Sequence, residues 1–231
     1  MQQHMVITGA TSGIGRALAI EAAKSGFKLS LCGRNEERLR ETVKLLPDDT
    51  RVYTDTFCAS ESDKIHQFIS NASQELGNVD ILINCAGLNS ARGEGHQVAI
   101  EDLHWMMQIN CYAPIEFCKA VIPQMQALKK GKIVNVLSTV CLFSNPGIAA
   151  YSASKAALDS YTKVMRKERR QDNIHFLSVY PGGVDTSFRS SERPMYLSAK
   201  SVAKAIMANL KADANTHIHE LVLRPQVEEN F

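Results

Sequence analysis

The most constraining feature of this chain is the alternation of short apolar runs with longer segments of helical periodicity. Seven runs have the length and composition of buried β-strands, namely residues 5–8, 29–32, 52–54, 81–84, 133–137, 174–179 and 221–223. Seven segments between them are predicted to be helices, namely 14–25, 35–46, 61–76, 100–109, 113–129, 149–170 and 199–211. Strands that are joined by crossover helices lie parallel to one another. The pattern therefore predicts an α/β fold with a doubly wound parallel sheet of seven strands and helices on both faces.

The length of 231 residues favours one domain spanning 1–231, because a second full domain would have little room. Three stretches rich in glycine, proline and serine follow predicted strands, near residues 87–99, 141–150 and 183–198. In an open parallel sheet, ligands bind in the crevice beyond the carboxyl ends of the strands. We therefore expect these three loops to shape a substrate pocket.

Composition excludes several classes of protein. The formal net charge is only +2, and no basic stripe with interleaved aromatic residues is present, so nucleic-acid binding is not expected. The first residues lead into a strand pattern, and no apolar segment has membrane-spanning length, so neither export nor membrane insertion is expected. Six cysteines occur without a Cys-x-x-Cys pair, which indicates free thiols in a reducing compartment and no metal site. A cytoplasmic protein is predicted.

A glycine-rich turn follows the first predicted strand directly and opens the first predicted helix. It reads Thr8-Gly9-Ala10-Thr11-Ser12-Gly13-Ile14-Gly15. Glycines allow positive φ and close backbone approach, and the amides at a helix start can point at a pyrophosphate. The turn predicts dinucleotide binding through Gly9, Thr11, Ser12, Gly13, Ile14 and Gly15. The alternative is a tight strand–helix turn that binds no ligand.

A second motif supplies acid/base chemistry. Tyr151 and Lys155 stand four residues apart in a predicted helix, and Ser138 lies thirteen residues before Tyr151. Residues four apart share a helix face, so the ammonium can lower the phenol pKa from about 10 towards the working range. Tyr196 and Lys200 have the same spacing without a matching upstream serine. The context therefore favours the first pair, and together with the glycine turn it indicates nicotinamide-dependent carbonyl chemistry.

With these motifs in order, the chain resembles the short-chain dehydrogenase/reductase family over almost its whole length. The matching stretches are the glycine turn, Asn84-Cys85-Ala86-Gly87, the single residues Asn110, Ser138, Tyr151 and Lys155, and Pro181-Gly182-Gly183-Val184-Asp185-Thr186. The resemblance implies a Rossmann-type fold and the catalytic set Asn110, Ser138, Tyr151 and Lys155. It also implies cofactor contacts from Asn84, Ala86, Gly87, Tyr151, Lys155, Pro181, Gly182, Val184 and Thr186.

The resemblance further implies individual roles. Lys155 would also bind the nicotinamide ribose, and Asn110 would keep a water in the proton relay. Val184 and Thr186 would hold the carboxamide. Asn84 would be largely structural.

The end of the second predicted strand bears on the choice of cofactor. A carboxylate there would receive the adenosine ribose hydroxyls, but this chain has Cys32-Gly33-Arg34. An arginine without a neighbouring acid can pair with a 2′-phosphate, which favours NADP(H) over NAD(H). The alternative is a solvent-facing arginine, and Arg38 is a weaker second candidate. The resemblance also implies that Asp55, after the third strand, binds the adenine, and a helix-capping role is its alternative.

These expectations describe an NADP-dependent oxidoreductase of the carbonyl reductase or 3-oxoacyl reductase type, which moves a hydride between nicotinamide and a carbonyl or secondary alcohol. The family resemblance implies a homodimer or homotetramer formed through the helices at 113–129 and 149–170. The alternative function is an NADPH-binding redox sensor or regulatory protein with little turnover. A sugar-nucleotide epimerase or dehydratase is disfavoured because the chain lacks the length for a substrate domain.

Overall fold

Seven parallel strands form one sheet in the computed structural model, which describes residues 2–188, 193–212 and 216–228. The described residues contain nine strands in all, β1 (His4–Thr8), β2 (Lys28–Gly33), β3 (Val52–Thr56), β4 (Ile81–Asn84), β5 (Gly131–Val136), β6 (Ile174–Pro181), β7 (Val184–Asp185), β8 (Leu197–Ser198) and β9 (Glu220–Leu223). The sheet order is β3-β2-β1-β4-β5-β6-β9, and β7 and β8 form a separate short parallel pair. The predicted doubly wound sheet of seven parallel strands is confirmed.

Helices cover both faces of this sheet. They are α1 (Gly13–Lys24), α2 (Glu36–Lys44), α3 (Ser62–Leu76), α4 (Ile100–Met107), α5 (Ala113–Ala127), α6 (Ala149–Glu168) and α7 (Ala199–Leu210). One apolar core lies beneath α1 and α7, and the other beneath α3 and α5. Successive strand residues point to opposite faces, so Met5 and Ile7 enter the first core while Val6 between them enters the second. Both faces of a strand are thus buried, which explains its continuous apolar run.

Two helical details differ from the sequence prediction. The fourth helix was expected over 100–109, but α4 ends at Met107 and a π-helix, Gln108–Tyr112, joins it to α5. A proline in a helix interior is expected to kink or interrupt the helix, yet α5 continues through Pro123 without a break. Proline removes one N–H, and the carbonyl one turn earlier belongs to Lys119, which is exposed. Water can bind that carbonyl there, so the helix can continue.

Within the described residues, no helix combines the length and apolar character needed to cross a membrane. All six cysteines are free thiols. The described part of the chain contains no cluster of three or more potential metal-ligating side chains.

His4 at the start of β1 is fully buried. Its Nδ1 lies 2.7 Å from the carbonyl oxygen of Gly77, and its Nε2 lies 2.8 Å from Ser30 Oγ. A carbonyl only accepts, so Nδ1 carries the proton and Nε2 accepts from the hydroxyl. Burial lowers the pKa of His4 below its ordinary value of 6.5; Lys28 also lowers it, while the Gly77 carbonyl and Asp80 oppose the shift. The folded protein therefore holds His4 as the neutral imidazole.

We expect the free energy of unfolding to fall as the pH drops below the ordinary histidine pKa. In that range the unfolded chain binds a proton that the folded chain does not, so stability rises with pH and levels off below the folded-state pKa. Urea denaturation between about pH 7.5 and about pH 5.5 should show a steeper loss in the wild type than in His4→Gln. The other titrating groups are common to both proteins, so parallel curves would contradict this assignment.

Candidate functional site

A cleft of about 1360 Å³ lies beyond the carboxyl ends of the central strands. The strand order reverses between β1 and β4, and this reversal leaves a crevice where the two following segments diverge. The glycine turn after β1 lines one wall. The segments after β4, β5 and β6 line the other walls, and the end of β2 lies at one extremity. The motifs that the sequence suggested come together here.

The glycine turn is shaped by close backbone contacts. Gly9 has φ +69°, and a Cβ on it would lie 2.8 Å from Ala86 Cα. A Cβ on Gly15 would lie 2.2 Å from the carbonyl oxygen of Gly9. A larger residue at either position requires the backbone to move. Ser12 is the N-cap residue of α1 and makes no side-chain capping bond, and the first turn has no acidic residue. The start of α1 therefore presents its amides to the cleft with no competing carboxylate.

Arg16 braces this turn, and sequence reasoning missed it. Its guanidinium donates to the carbonyl of Thr11 at 2.7 Å and to Thr42 Oγ1 at 3.0 Å, and it pairs with Glu41 at 2.9 Å. The turn is thereby tied to α2. No local motif predicts this contact, because Arg16 reads as an ordinary polar position of an amphipathic helix.

The end of β2 supplies two arginines to the cleft. Arg34 and Arg38 both line it and both are exposed. Among the described residues, neither guanidinium has a hydrogen-bond or ion-pair partner. Gly33, just before them, lets the end of β2 lie close to Thr11 of the glycine turn, because a Cβ on Gly33 would lie 2.4 Å from Thr11 Cγ2. This end of the cleft therefore carries uncompensated positive charge.

Asp55 does not line the cleft together with Arg34 and Arg38. It lies inside β3 instead of following it, and its carboxylate accepts a hydrogen bond from the amide of Thr56 at 2.7 Å. Asp55 does not line the cleft, whereas Phe57 does. The third strand is two residues longer than the apolar run suggested, which places the carboxylate before the strand end.

Ser138, Tyr151 and Lys155 all line the cleft. Ser138 lies two residues after the end of β5, and its Oγ accepts a hydrogen bond from the amide of Val140 at 3.3 Å. Tyr151 and Lys155 lie in the first two turns of α6 and share a face of that helix. The Tyr151 ring is 9% exposed and lies 6.1 Å from the ring of Phe188, centroid to centroid.

Lys155 is buried, and its Nζ donates to the carbonyl of Val136 at 2.9 Å. Desolvation by burial lowers the pKa of its ammonium. No carboxylate among the described residues forms an ion pair with it. Its electrostatic neighbours are instead the thiols of Cys85, Cys111 and Cys141. Burial raises the pKa of all three, to about 12 for Cys85 and to about 11 for Cys141, so these thiols stay neutral. The charge of Lys155 is therefore available to a group entering the cleft.

The second tyrosine–lysine pair is separated by the fold. Tyr196 precedes β8 and lines the cleft, whereas Lys200 lies in α7, is exposed and does not line it. The two side chains belong to different elements and do not form a common site.

Asn110 is buried in the π-helix and does not line the cleft. Its Oδ1 accepts from the amide of Leu88 at 2.8 Å, and its Nδ2 donates to the Leu88 carbonyl at 2.8 Å and to Ser154 Oγ at 2.9 Å. The side chain thus joins the loop after β4 to α6. A Cβ on Gly87 would lie 3.2 Å from both Asn110 Oδ1 and Lys155 Nζ. Gly87 therefore keeps open the space between these two groups.

Asn84 is also buried away from the cleft. Its Nδ2 donates to Asn135 Oδ1 at 2.8 Å, and Asn135 Nδ2 donates to Thr162 Oγ1 at 2.8 Å, so two amides and a hydroxyl join β4, β5 and α6. Ala86 and Gly87 do line the cleft. Thr8 positions this segment, since its Oγ1 accepts from the amides of Cys85 and Ala86, both at 3.0 Å.

The segment after β6 closes the cleft opposite the glycine turn. Its lining residues are Pro181, Gly182, Gly183, Val184 and Thr186. Thr186 lies against the turn, because a Cβ on Gly13 would be 3.3 Å from Thr186 Cγ2. Sequence reasoning missed Glu228, whose Oε1 accepts from the amide of Gly183 at 2.6 Å. The two residues are forty-five positions apart, and no local pattern connects them.

Two of the loops that were predicted to shape the substrate pocket contact each other. The amide of Gly93 donates to the carbonyl of Gly147 at 3.1 Å, which joins the loop after β4 to the loop after β5. Of the apolar residues in the loop after β5, Ile148 lines the cleft, whereas Leu142 and Phe143 do not. The remaining wall is mixed, with Leu88, Trp105, Val140 and Phe188 beside Arg92. Residues 189–192 of the third loop lie outside the described residues.

Comparison with known proteins is consistent with this geometry. The model of the family described as short chain dehydrogenase matches residues 3–197. An uncharacterised oxidoreductase of Staphylococcus saprophyticus is 31% identical over 227 residues, which cover 95% of this chain and 96% of the relative. A 3-dehydrosphinganine reductase of Danio rerio is 29% identical over 99% of this chain and 69% of the relative.

Solved structures agree over the whole fold. An alcohol dehydrogenase from the archaeon Thermococcus sibiricus, complexed with 5-hydroxy-NADP, superposes with a TM-score of 0.93 at 25% identity and covers 100% of both chains. Serine dehydrogenase from Escherichia coli superposes with a TM-score of 0.88 at 25% identity, covering 98% of this chain and 99% of that one.

Proposed function

The chain belongs to the short-chain dehydrogenase family, and from this premise we propose that it is an NADP(H)-dependent oxidoreductase acting on a carbonyl or secondary alcohol. General oxidoreductase activity follows from the family. The cofactor preference, the residue roles and the reaction type are the proposal. The observation that carries it is the meeting of Ser138, Tyr151 and Lys155 in one cleft with the glycine turn.

The residues of the cleft fit a dinucleotide. The positions of Gly9 and Gly15 exclude side chains, and the start of α1 presents amides suited to a pyrophosphate. The segment Pro181 to Thr186, including Gly182 and Val184, would border the nicotinamide together with Ala86 and Gly87, and Lys155 would bind the ribose. When bound, the reduced nicotinamide supplies a hydride to the carbonyl carbon.

Tyr151 acts as the acid in the reductive direction. Its hydroxyl protonates the oxygen that gains negative charge, and Ser138 Oγ donates a hydrogen bond to the same oxygen. Lys155 stabilises the phenolate that remains. Burial disfavours the Lys155 ammonium in the resting protein, so its attraction to an anion that forms nearby offsets part of that desolvation cost. Asn110 holds the loop and the helix between which a water of the proton relay would lie.

The preference for NADP(H) rests on the arginines at the end of β2. Arg34 and Arg38 are exposed, line the cleft and have no carboxylate partner among the described residues. A 2′-phosphate would provide charge-assisted hydrogen bonds that a ribose hydroxyl does not.

Arg34→Asp should reverse this preference. Charge-assisted bonds of this kind contribute about 1.5–3 kcal/mol, so we expect kcat/KM for NADPH to fall by about tenfold or more, and the value for NADH to rise relative to it. Arg40→Asp is the matched control, because Arg40 lies in the helix α2 that follows Arg34, pairs with Glu36 and does not line the cleft. An unchanged NADPH/NADH ratio in Arg34→Asp would remove Arg34 from cofactor discrimination.

The substrate is proposed to be a carbonyl compound with an apolar body, of the kind used by carbonyl or 3-oxoacyl reductases. Leu88, Trp105, Ile148 and Phe188 at the substrate end support this class. The test is a panel of ketones, diketones, quinones, steroids and 3-oxoacyl thioesters, followed by loss of NADPH absorbance. Tight NADPH binding with no turnover across the panel would instead favour a redox sensor.

We also propose a homodimer or homotetramer formed through α5 and α6. The support is family membership together with apolar Tyr112 and Val164, which are exposed beside and on these helices. Light scattering coupled to gel filtration measures the assembly, and a monomeric mass would contradict it. The six free thiols support a reducing compartment such as the cytoplasm.

A further inference from the structure

The segment after β9 returns to the cleft. β9 ends at Leu223, and the carbonyl of Leu223 accepts from the amide of Gly182 at 2.7 Å. The chain then turns, with the amide of Glu228 donating to the carbonyl of Pro225 at 3.2 Å. This turn brings Val227 and Glu228 into the lining of the cleft. Glu228 is the only carboxylate among the described lining residues.

Gly183 is held from three sides. Its amide donates to Glu228 Oε1 at 2.6 Å, and its carbonyl accepts from the amide of Leu197 at 3.0 Å. Its Cα faces the ring of Tyr196, since a Cβ on Gly183 would lie 2.5 Å from that ring. Of these three contacts, only the bond to Glu228 comes from outside the 181–198 region.

Glu228 is itself fixed on its other side. Its Oε2 lies 3.3 Å from Arg224 Nε, and the side chains of Arg224 and Glu228 are only 9% and 20% exposed. The guanidinium of Arg224 lies over the ring of Phe143 at 4.8 Å from its centroid. The carboxylate is therefore oriented by contacts that reach the loop after β5.

Gly183 adjoins the segment of the cleft wall that contacts the glycine turn. Val184 follows Gly183 directly, and Thr186 lies against Gly13 of the glycine turn. The segment Val184 to Thr186 thus spans the cleft between an anchor at Gly183 and a contact at Gly13. A shift of the Gly183 peptide would carry with it Val184, which also lines the cleft.

We infer that Glu228 is a positioning residue for the cofactor. Its carboxylate fixes the Gly183 peptide, and with it the Val184–Thr186 wall, at the separation from the glycine turn that a nicotinamide dinucleotide requires. Glu228 touches neither substrate nor reacting atoms in this role. The inference rests on the proposed function, because it takes the cleft to be a nicotinamide site.

The test measures NADPH affinity in three variants of the full chain, with thermal denaturation as the check that each variant folds. Glu228→Ala removes the acceptor, and we expect NADPH affinity, measured by fluorescence titration, to fall by about tenfold, as for a lost charge-assisted hydrogen bond. Glu228→Gln keeps one oxygen acceptor for the Gly183 amide but turns an NH₂ towards Arg224 Nε in place of the second oxygen, so affinity should recover only in part, to a value between those of Glu228→Ala and the wild type. Glu220→Gln is the control, since Glu220 also lies in the C-terminal part of the chain, pairs with Arg166 and does not line the cleft.

The outcomes separate this inference from the proposed function. A wild type that binds no nicotinamide cofactor would overturn the proposed function. A wild type that binds NADPH, with Glu228→Ala binding equally well, would overturn the role of Glu228 alone. Equal loss in Glu228→Gln and Glu228→Ala would also overturn it, because the acceptor would then not matter. If Glu228→Ala does not fold, Glu228→Asp carries the test, since the shortened carboxylate no longer reaches the amide, and wild-type affinity there would refute the inference.

Discussion

Tyr151→Phe is expected to lower turnover by about 10²–10⁴-fold, the range over which a positioned acid/base group contributes to catalysis. The substitution removes one oxygen and keeps the ring, whose contacts with Phe188 and the apolar residues around it are preserved. NADPH affinity should therefore stay within about threefold of the wild type, because neutral hydrogen bonds contribute only modestly. Steady-state kinetics with any active carbonyl substrate, together with a fluorescence titration of NADPH, measures both quantities.

Tyr161→Phe is the matched control for this experiment. Tyr161 lies on the same helix, ten residues further on, and does not line the cleft. It should keep wild-type turnover. Wild-type rates in Tyr151→Phe would remove that hydroxyl from the mechanism and leave the cleft with a binding role only.

Gly15→Ala is expected to abolish measurable NADPH binding and to destabilise the fold. The added Cβ would lie 2.2 Å from the carbonyl oxygen of Gly9, and neither atom belongs to a side chain that can rotate away. The backbone of the turn must shift, and overpacking of this kind costs about 1–3 kcal/mol or more. Thermal denaturation and NADPH titration measure the two effects.

Gly26→Ala makes the same chemical change just beyond the other end of α1. Gly26 has φ +79°, and no atom lies within 4 Å of its added Cβ. Its only penalty is the left-handed conformation, about 1–2 kcal/mol, so stability should fall while NADPH affinity is unchanged. If Gly15→Ala bound NADPH as well as Gly26→Ala does, the glycine turn would not be the pyrophosphate site.

The strands and the order of the motifs could be predicted from the sequence because they depend on local patterns. A strand buried on both faces, such as that containing Met5, Val6 and Ile7, must be continuously apolar, and this signal is strong. The parallel arrangement then brings the strand ends to one edge. The positions of Ser138 and of the glycine turn in a common cleft follow from topology alone.

The remainder of the site depends on contacts between distant segments. The hydrogen bonds from Gly183 to Glu228 and from Arg16 to α2 leave no periodic pattern in the sequence. The boundary of β3, which decides where Asp55 lies, is set by pairing with β2 beyond the apolar run. The π-helix that buries Asn110 likewise follows from the packing of α4, α5 and α6 and has no signature in one sequence.

The reversal of strand order between β1 and β4 has a practical consequence for engineering. The crevice arises from connectivity, so it persists when the loops beyond the strands are exchanged. The loops after β4 and β5 form one wall through the bond between Gly93 and Gly147, and the glycine turn lies on a different wall. Grafting these two loops together from a homologue should therefore transfer substrate selectivity as a unit, with no redesign of the strand ends.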